Sequence, residues 1–199
     1  KDRVYRYGFA DDNGHLKGYI FYKIKGEEFQ IREMVYSSIE AKHALFRFIY
    51  IHSAQVGKVV WDAPLDDNTL LLLDDPGKSV RLESGMMIRA VDVQKILELY
   101  PFKAEYSGKF SIKVDDPNAK WNDQVFEVEV MNGKPNVKCL GEAKWDMRLS
   151  IQTFSQLAIG YIGLDDAVEA GKAELAADSL LAANDNAFYS QHTFLNDFF

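Results

Sequence analysis

Met86-Met87-Ile88-Arg89-Ala90-Val91-Asp92-Val93 is an apolar run interrupted by one arginine and one aspartate. The turn residues Leu82-Glu83-Ser84-Gly85 precede it. A helical period over 91–99 follows it, stopped by Pro101. The residues on its N-terminal side read as a layer of strands with a packed helix. Those on its C-terminal side read as a strand-rich segment closed by helices. The fold class is therefore mixed α+β, with domains at 1–103 and 104–199. Asp92 stands where extended chain gives way to helix. It reads either as a helix N-cap or as a carboxylate lining a pocket. Arg89 pairs with Asp92 or with a neighbouring acid.

Moving outward toward the N-terminus, Val4–Ala10, His15–Lys23 and Glu28–Tyr36 alternate and are rich in aromatic and branched residues, which predicts three strands. Asp11-Asp12-Asn13-Gly14 and Lys25-Gly26-Glu27 are turns that join them into an antiparallel meander. Ser37-x-x-Glu40 matches a capping box and opens a helix to about Gln55, ended by Gly57. Its apolar stripe holds Ala41, Leu45, Phe48, Ile49 and His52, widened by Ile39, Phe46 and Tyr50. Lys58–Asp62 is a fourth strand, and 68–73 a short helix.

Toward the C-terminus, strands are predicted over Phe102–Asp115, Val125–Met131, Pro135–Gly141 and Trp145–Leu149. Asn132-Gly133 marks a hairpin. Helices are predicted over Ile151–Ile162, Leu164–Ala170 and about Asp178–Ala187. The tail Phe188–Phe199 holds five aromatic residues. Two phenylalanines at a terminus favour docking, since leaving them in water forgoes roughly 1.5–3 kcal/mol each.

Charge separates the two parts. Basic and acidic side chains balance through residue 103, and the net −7 falls on 104–199. An acidic half repels a phosphate backbone and disfavours nucleic acid as a partner. It draws cationic ligands, amines among them. No apolar run approaches the roughly 20 residues of a membrane span, so no membrane partner is expected. The single cysteine, Cys139, reads as a buried strand residue and fits a cytoplasmic protein. The chain opens on Lys1 rather than methionine, which suggests a piece of a longer protein.

Catalytic signatures are sparse. G-x-S-x-G, P-loop, G-x-G-x-x-G and H-E-x-x-H motifs are absent, and the histidines His15, His43, His52 and His192 are scattered, so no metal is expected. The acidic pairs Asp11-Asp12, Asp66-Asp67, Asp74-Asp75, Asp115-Asp116 and Asp165-Asp166 fall at turns or helix starts and read as caps. If Phe199 is the natural end, a docked tail places its terminal carboxylate where it can accept a proton.

Taken together, these motifs resemble the C-terminal part of the enhanced-intracellular-survival N-acetyltransferases. The similarity rests on Gly18-Tyr19-Ile20-Phe21-Tyr22, on Met34-Val35-Tyr36-Ser37 with Ala41, Ala44-Leu45-Phe46-Arg47-Phe48, and on Asp66-Asp67-Asn68-Thr69-Leu70. It extends to Met87–Val93, to Leu157-Ala158-Ile159-Gly160-Tyr161-Ile162-Gly163 and to the Phe-rich end. The resemblance implies a degenerate GNAT-like lobe, an antiparallel-rich sheet with a packed helix, followed by a sterol-carrier-protein-like α+β domain. It implies acetyl transfer from acetyl-CoA to a small-molecule amine, with the terminal carboxylate of Phe199 as base. Asp92 then lines the amine pocket, flanked by Arg89, Phe198 and Asp197. It also implies that acetyl-CoA is bound by an N-terminal GNAT lobe absent from this sequence, because the R/Q-x-x-G-x-G/A turn that holds its pyrophosphate does not occur here. These residues are then the acceptor-binding and assembly half of a cytoplasmic homo-oligomer, inactive alone. The competing expectation is a non-catalytic sterol-carrier-like module that binds an apolar ligand.

Overall fold

The computed structural model describes residues 3–73, 80–82, 85–179, 181 and 187–195. The chain divides into two compact units, Lys1–Pro76 with Phe194–Phe199, and Gly77–Thr193. Both are mixed α+β, as the alternating and helical periods predict.

In the first unit β1 (Tyr5–Ala10), β2 (Leu16–Lys25), β3 (Glu28–Tyr36) and β4 (Lys58–Trp61) form one sheet in the order β1-β2-β3-β4. The first three are the expected antiparallel meander, and β4 runs parallel to β3. Asp11 builds the first turn by accepting the amides of Asn13 and His15 at 3.0 and 2.9 Å, an Asx-type closure. The helix α1 (Ile39–Ile51) crosses from β3 to β4. Leu45 and Ile49 on α1 pack onto Ile20, Phe29, Ile31 and Met34 of the sheet. Burying each such side chain stabilises the unit by roughly 1.5–3 kcal/mol. Gly18 lets helix and sheet approach: a Cβ there would meet Val35 O at 3.0 Å and Ala41 Cβ at 3.3 Å.

Three details of α1 differ from the sequence reading. The N-cap is Ser38, which accepts Ala41 N, while the Ser37 hydroxyl donates to Lys17 O. The α-helix stops at Ile51, and a 3₁₀ turn, His52–Ala54, carries the chain on. The buried face holds Lys42, whereas Ile39 and Tyr50 are exposed. The helix expected over 68–73 is a 3₁₀ turn, Thr69–Leu72.

The second unit contains α2 (Val93–Leu99), β5 (Gly108–Asp115), β6 (Val125–Met131), β7 (Lys134–Gly141), β8 (Met147–Ser150), α3 (Ile151–Ala158), α4 (Leu164–Glu169) and β9 (Ala173–Leu175). Its sheet has the order β7-β6-β5-β8-β9, with β5 and β8 parallel and the other pairs antiparallel. Asn132 and Gly133 both take positive φ, 51° and 74°, the conformation a two-residue hairpin loop needs. One core gathers Val93 and Leu97 of α2, Phe110, Ile112 and Val114 of β5, and Phe154 and Leu157 of α3.

Helix ends here are shorter than the apolar period alone predicts. Gly160, at φ 72°, closes α3: Gly160 N donates to Leu157 O and Tyr161 N to Gln156 O, a Schellman motif. Gly171 closes α4 with the same pair of bonds, to Val168 O and Ala167 O from Gly171 N and Lys172 N. The apolar pattern through Ile162 therefore extends beyond α3. The short edge strand β9 is unforeseen in the sequence, and the strand expected from Trp145 starts at Met147. Cys139 lies on β7, as expected, but is exposed rather than buried. Its thiol donates to Gln124 Oε1 at 2.6 Å. Most of the helix expected over Asp178–Ala187 lies outside the described residues, as does the pair Asp74-Asp75.

Candidate functional site

The stretch before α2 is extended, so its polar backbone groups need partners from elsewhere. The described loop after β5 supplies them. Asn122 is 1% exposed. Its Nδ2 donates to Val91 O at 3.0 Å, and its Oδ1 accepts Val93 N at 3.0 Å. Trp121 Nε1 also donates to Val91 O, at 2.8 Å. From α3, Ser155 Oγ accepts Ala90 N at 2.8 Å and donates to Ile151 O at 2.7 Å. Asp92 adopts the extended backbone of an N-cap, and its Oδ1 accepts Lys95 N at 3.0 Å. Its second carboxylate oxygen makes no bond to any described residue.

Arg89 takes the second of its two expected partners, a neighbouring acid. Its Nη2 donates to both oxygens of Asp116, at 2.8 and 2.9 Å. The Asp116 side chain is fully buried while that of Arg89 is 43% exposed. Asn122 Nδ2 and Asn118 N also donate to Asp116, each at 3.1 Å. Burial pushes the Asp116 carboxyl up, but the bonds from Asn122, Arg89 and Asn118 outweigh it and hold it below its ordinary range. The structure thus brings Arg89 and Asp92 onto one clamped segment. Asp197, Phe198 and Phe199 lie outside the described residues. Sequence reading missed Asp116, Asn122, Trp121 and Ser155 as partners of this segment. Asp116 was visible only as half of an acidic turn pair, and nothing in its spacing points to a residue 27 positions away.

A second polar cluster lies in the first unit. Lys42 is 2% exposed and donates to Asn68 Oδ1 at 2.8 Å, with Asp67 Oδ2 at 3.5 Å. Its ammonium also stands 4.9 Å from the centre of the Tyr36 ring. Tyr36 donates to Asp67 at 2.7 Å and Thr69 N does so at 2.7 Å. Burial pushes Asp67 up, and the bonds from Thr69 and Tyr36 with the charge of Lys42 bring it below its ordinary range. The cluster ties α1 to the loop after β4. One signal was available: Lys42 sits between Ala41 and Leu45 on the buried arc of α1.

An open cleft of about 470 Å³ faces the start of α1, lined by Asp11, Asp12, Lys17, Ser37, Ser38 and Glu40 among others. Lys17 is engaged by Asp11 at 3.3 Å. The excess charge of this corner is negative, which opposes an anion at the helix N-terminus. Among the described residues no three His, Cys, Asp or Glu side chains stand where they could hold a metal ion. No helix among the described residues is long and apolar enough to cross a membrane.

Comparison with known proteins places these units. The family described as acetyltransferase (GNAT) domain matches residues 1–90. The family described as sterol carrier protein domain matches residues 93–196, just over half of the chain. A search of curated proteins gives no match. Among solved structures, a GCN5-related N-acetyltransferase from Anabaena variabilis is 26% identical with a TM-score of 0.85, covering 100% of this chain and 51% of its own. A probable N-acyltransferase from Enterococcus faecalis is 26% identical with a TM-score of 0.83, covering 94% of this chain and 47% of its own. Eis1 from Mycobacterium abscessus, at 18% identity and a TM-score of 0.70 over 92% of this chain and 48% of its own, shares the fold. The chain therefore spans about half the length of these structures.

A GNAT fold implies use of acetyl-CoA in general. The residues of this chain do not fit its pyrophosphate. The helix that follows β3 opens on Ser38 and Glu40 beside Asp11 and Asp12, with no glycine-rich turn to present free amides. By fold and by family match, the chain belongs to the proteins that carry a sterol carrier protein domain, here preceded by an acetyltransferase (GNAT) domain.

Proposed function

We propose that this chain is the acceptor-binding and assembly half of an acetyl-CoA-dependent amine N-acetyltransferase, the C-terminal part of an enhanced-intracellular-survival-type protein. The observation that carries the reading is a GNAT-like sheet whose phosphate corner is acidic and lacks the R/Q-x-x-G-x-G/A turn. The cofactor then belongs to an N-terminal GNAT lobe outside this sequence, and these 199 residues are inactive alone. The N-acetyltransferase and N-acyltransferase titles of the two 26%-identical structures support the reaction class. Asp92, whose second oxygen is unbonded among the described residues, receives the acceptor's ammonium group, a charge-assisted bond stronger than a neutral one. Arg89 is engaged by Asp116 rather than by that carboxylate. Where Phe199 ends the protein, its terminal carboxylate is the proposed base for the transfer, and Asp197 and Phe198 are assigned to acceptor binding. The protein works in the cytoplasm as a homo-oligomer.

The test is acetyl transfer to spermidine and kanamycin. The full-length protein is expected to acetylate one of them, the 199-residue chain neither, and deletion of Phe198-Phe199 from the full-length protein to lower kcat at least about a hundredfold. Turnover by the 199-residue chain alone would overturn the assignment of the cofactor to a separate lobe. Undiminished kcat after the deletion removes the terminal base. A monomer by light scattering removes the assembly role.

A further inference from the structure

Asn122 holds the chain on both sides of Asp92. It donates to Val91 O and accepts from Val93 N, each at 3.0 Å. Those two bonds fix the peptide planes that flank Asp92. The N-cap bond to Lys95 N then commits one carboxylate oxygen, and the other makes no bond to any described residue. Asn122 is itself held. Its Nδ2 also donates to Asp116 Oδ2 at 3.1 Å, so a flipped amide would set its oxygen against both Val91 O and a carboxylate. Asp116 is anchored in turn by Arg89 and by Asn118 N. Capping α2 requires only the Asp92 carboxylate. The additional bonds to Val91 and Val93 constrain direction instead, which is what a carboxylate that must meet a charged group at short range needs.

We propose that Asn122, held by Asp116, is the positioning residue of the acceptor site: it sets the direction in which Asp92 presents its free oxygen to an amine. This rests on the reading of Asp92 as an acceptor-facing group. Asn122 does not touch the amine and acts through Asp92.

The test is spermidine affinity of the full-length protein by calorimetry, in Asp92→Ala, Asn122→Ala, Asp116→Asn and the Asp92→Ala/Asn122→Ala double variant. Amide hydrogen exchange at Val93 and Lys95 is read alongside. Asn122→Ala is expected to raise the spermidine Kd about tenfold and to speed exchange at both amides. In the Asp92→Ala background the same change is expected to leave Kd within about twofold. If Asn122→Ala does not fold, Asp116→Asn keeps the volume and weakens the grip on Nδ2 along with the Arg89 ion pair, with the same non-additivity expected. A Kd raised by Asp92→Ala but untouched by Asn122→Ala and Asp116→Asn overturns the positioning role alone. An equal rise with and without Asp92 also overturns it, because the effect then does not pass through Asp92. A Kd unmoved by Asp92→Ala overturns the acceptor reading itself, and the positioning role with it.

Discussion

Asp116 receives four hydrogen bonds, two from Arg89 and one each from Asn122 and Asn118. A carboxylate with that many donors is held charged despite full burial, and removing it strands Asn122 and the segment Asn122 supports. Asp116→Ala is expected to lower stability by about 2–3 kcal/mol, read as a shift in the urea midpoint. The loss stays short of a fully buried pair because Arg89 is partly exposed and keeps water as a partner. Tyr100 behaves in the opposite way. Burial raises its phenol to about 12, and the hydroxyl has no hydrogen-bond partner among the described residues. Tyr100→Phe removes a buried polar atom that gains little, so stability is expected to stay level or rise by up to about 1 kcal/mol. A lowered melting midpoint would show that the hydroxyl has a partner.

At the scale of elements, glycines mark places where a side chain has no room, Gly160 and Gly18 among them. A Cβ at Gly160 would meet the Gln191 side chain at 2.9 Å, at a φ of 72°. Gly160→Ala adds the left-handed backbone cost of about 1–2 kcal/mol to that contact and is expected to weaken the end of α3, lowering the unfolding midpoint. At Gly18 the obstacle is the backbone oxygen of Val35 at 3.0 Å. Gly18→Ala must shift β3 and α1 relative to β2, costing about 1–3 kcal/mol. Near-ultraviolet dichroism reports this change, because Tyr22 and Phe48 meet edge to face in that layer at 5.5 Å.

For the whole molecule, acid is the common lever on both units. Asp67 in the first and Asp116 in the second have folded-state pKa values below the ordinary 3.8. A carboxylate lowered by folding stabilises the fold above its unfolded pKa, and that contribution fades as pH falls through the folded value. Stability is therefore expected to be level near neutrality and to fall once pH drops below about 4. Asp116→Asn, which cannot titrate, flattens part of that fall. An acid limb as steep as the parent's in urea titrations would contradict the role given to Asp116. Elements whose signals are local were legible beforehand: the meander, the Asn132-Gly133 hairpin, the alternation of Phe110, Ile112 and Val114, and the capping of α2 by Asp92. Each depends on residues within a few positions of one another, where backbone geometry and turn chemistry decide. The sequence by itself also determined the acidic balance and the absence of a phosphate-binding turn, since both are matters of composition and order. Only the tertiary structure decided that Arg89 meets Asp116, that Asn122 braces both neighbours of Asp92, that Lys42 is buried on Asp67 and Asn68, and that Cys139 faces out. Those pairings join positions 25 to 31 residues apart. Such partners are chosen by which strands pair and which faces the core covers, and by the high cost of leaving a buried polar group unmatched.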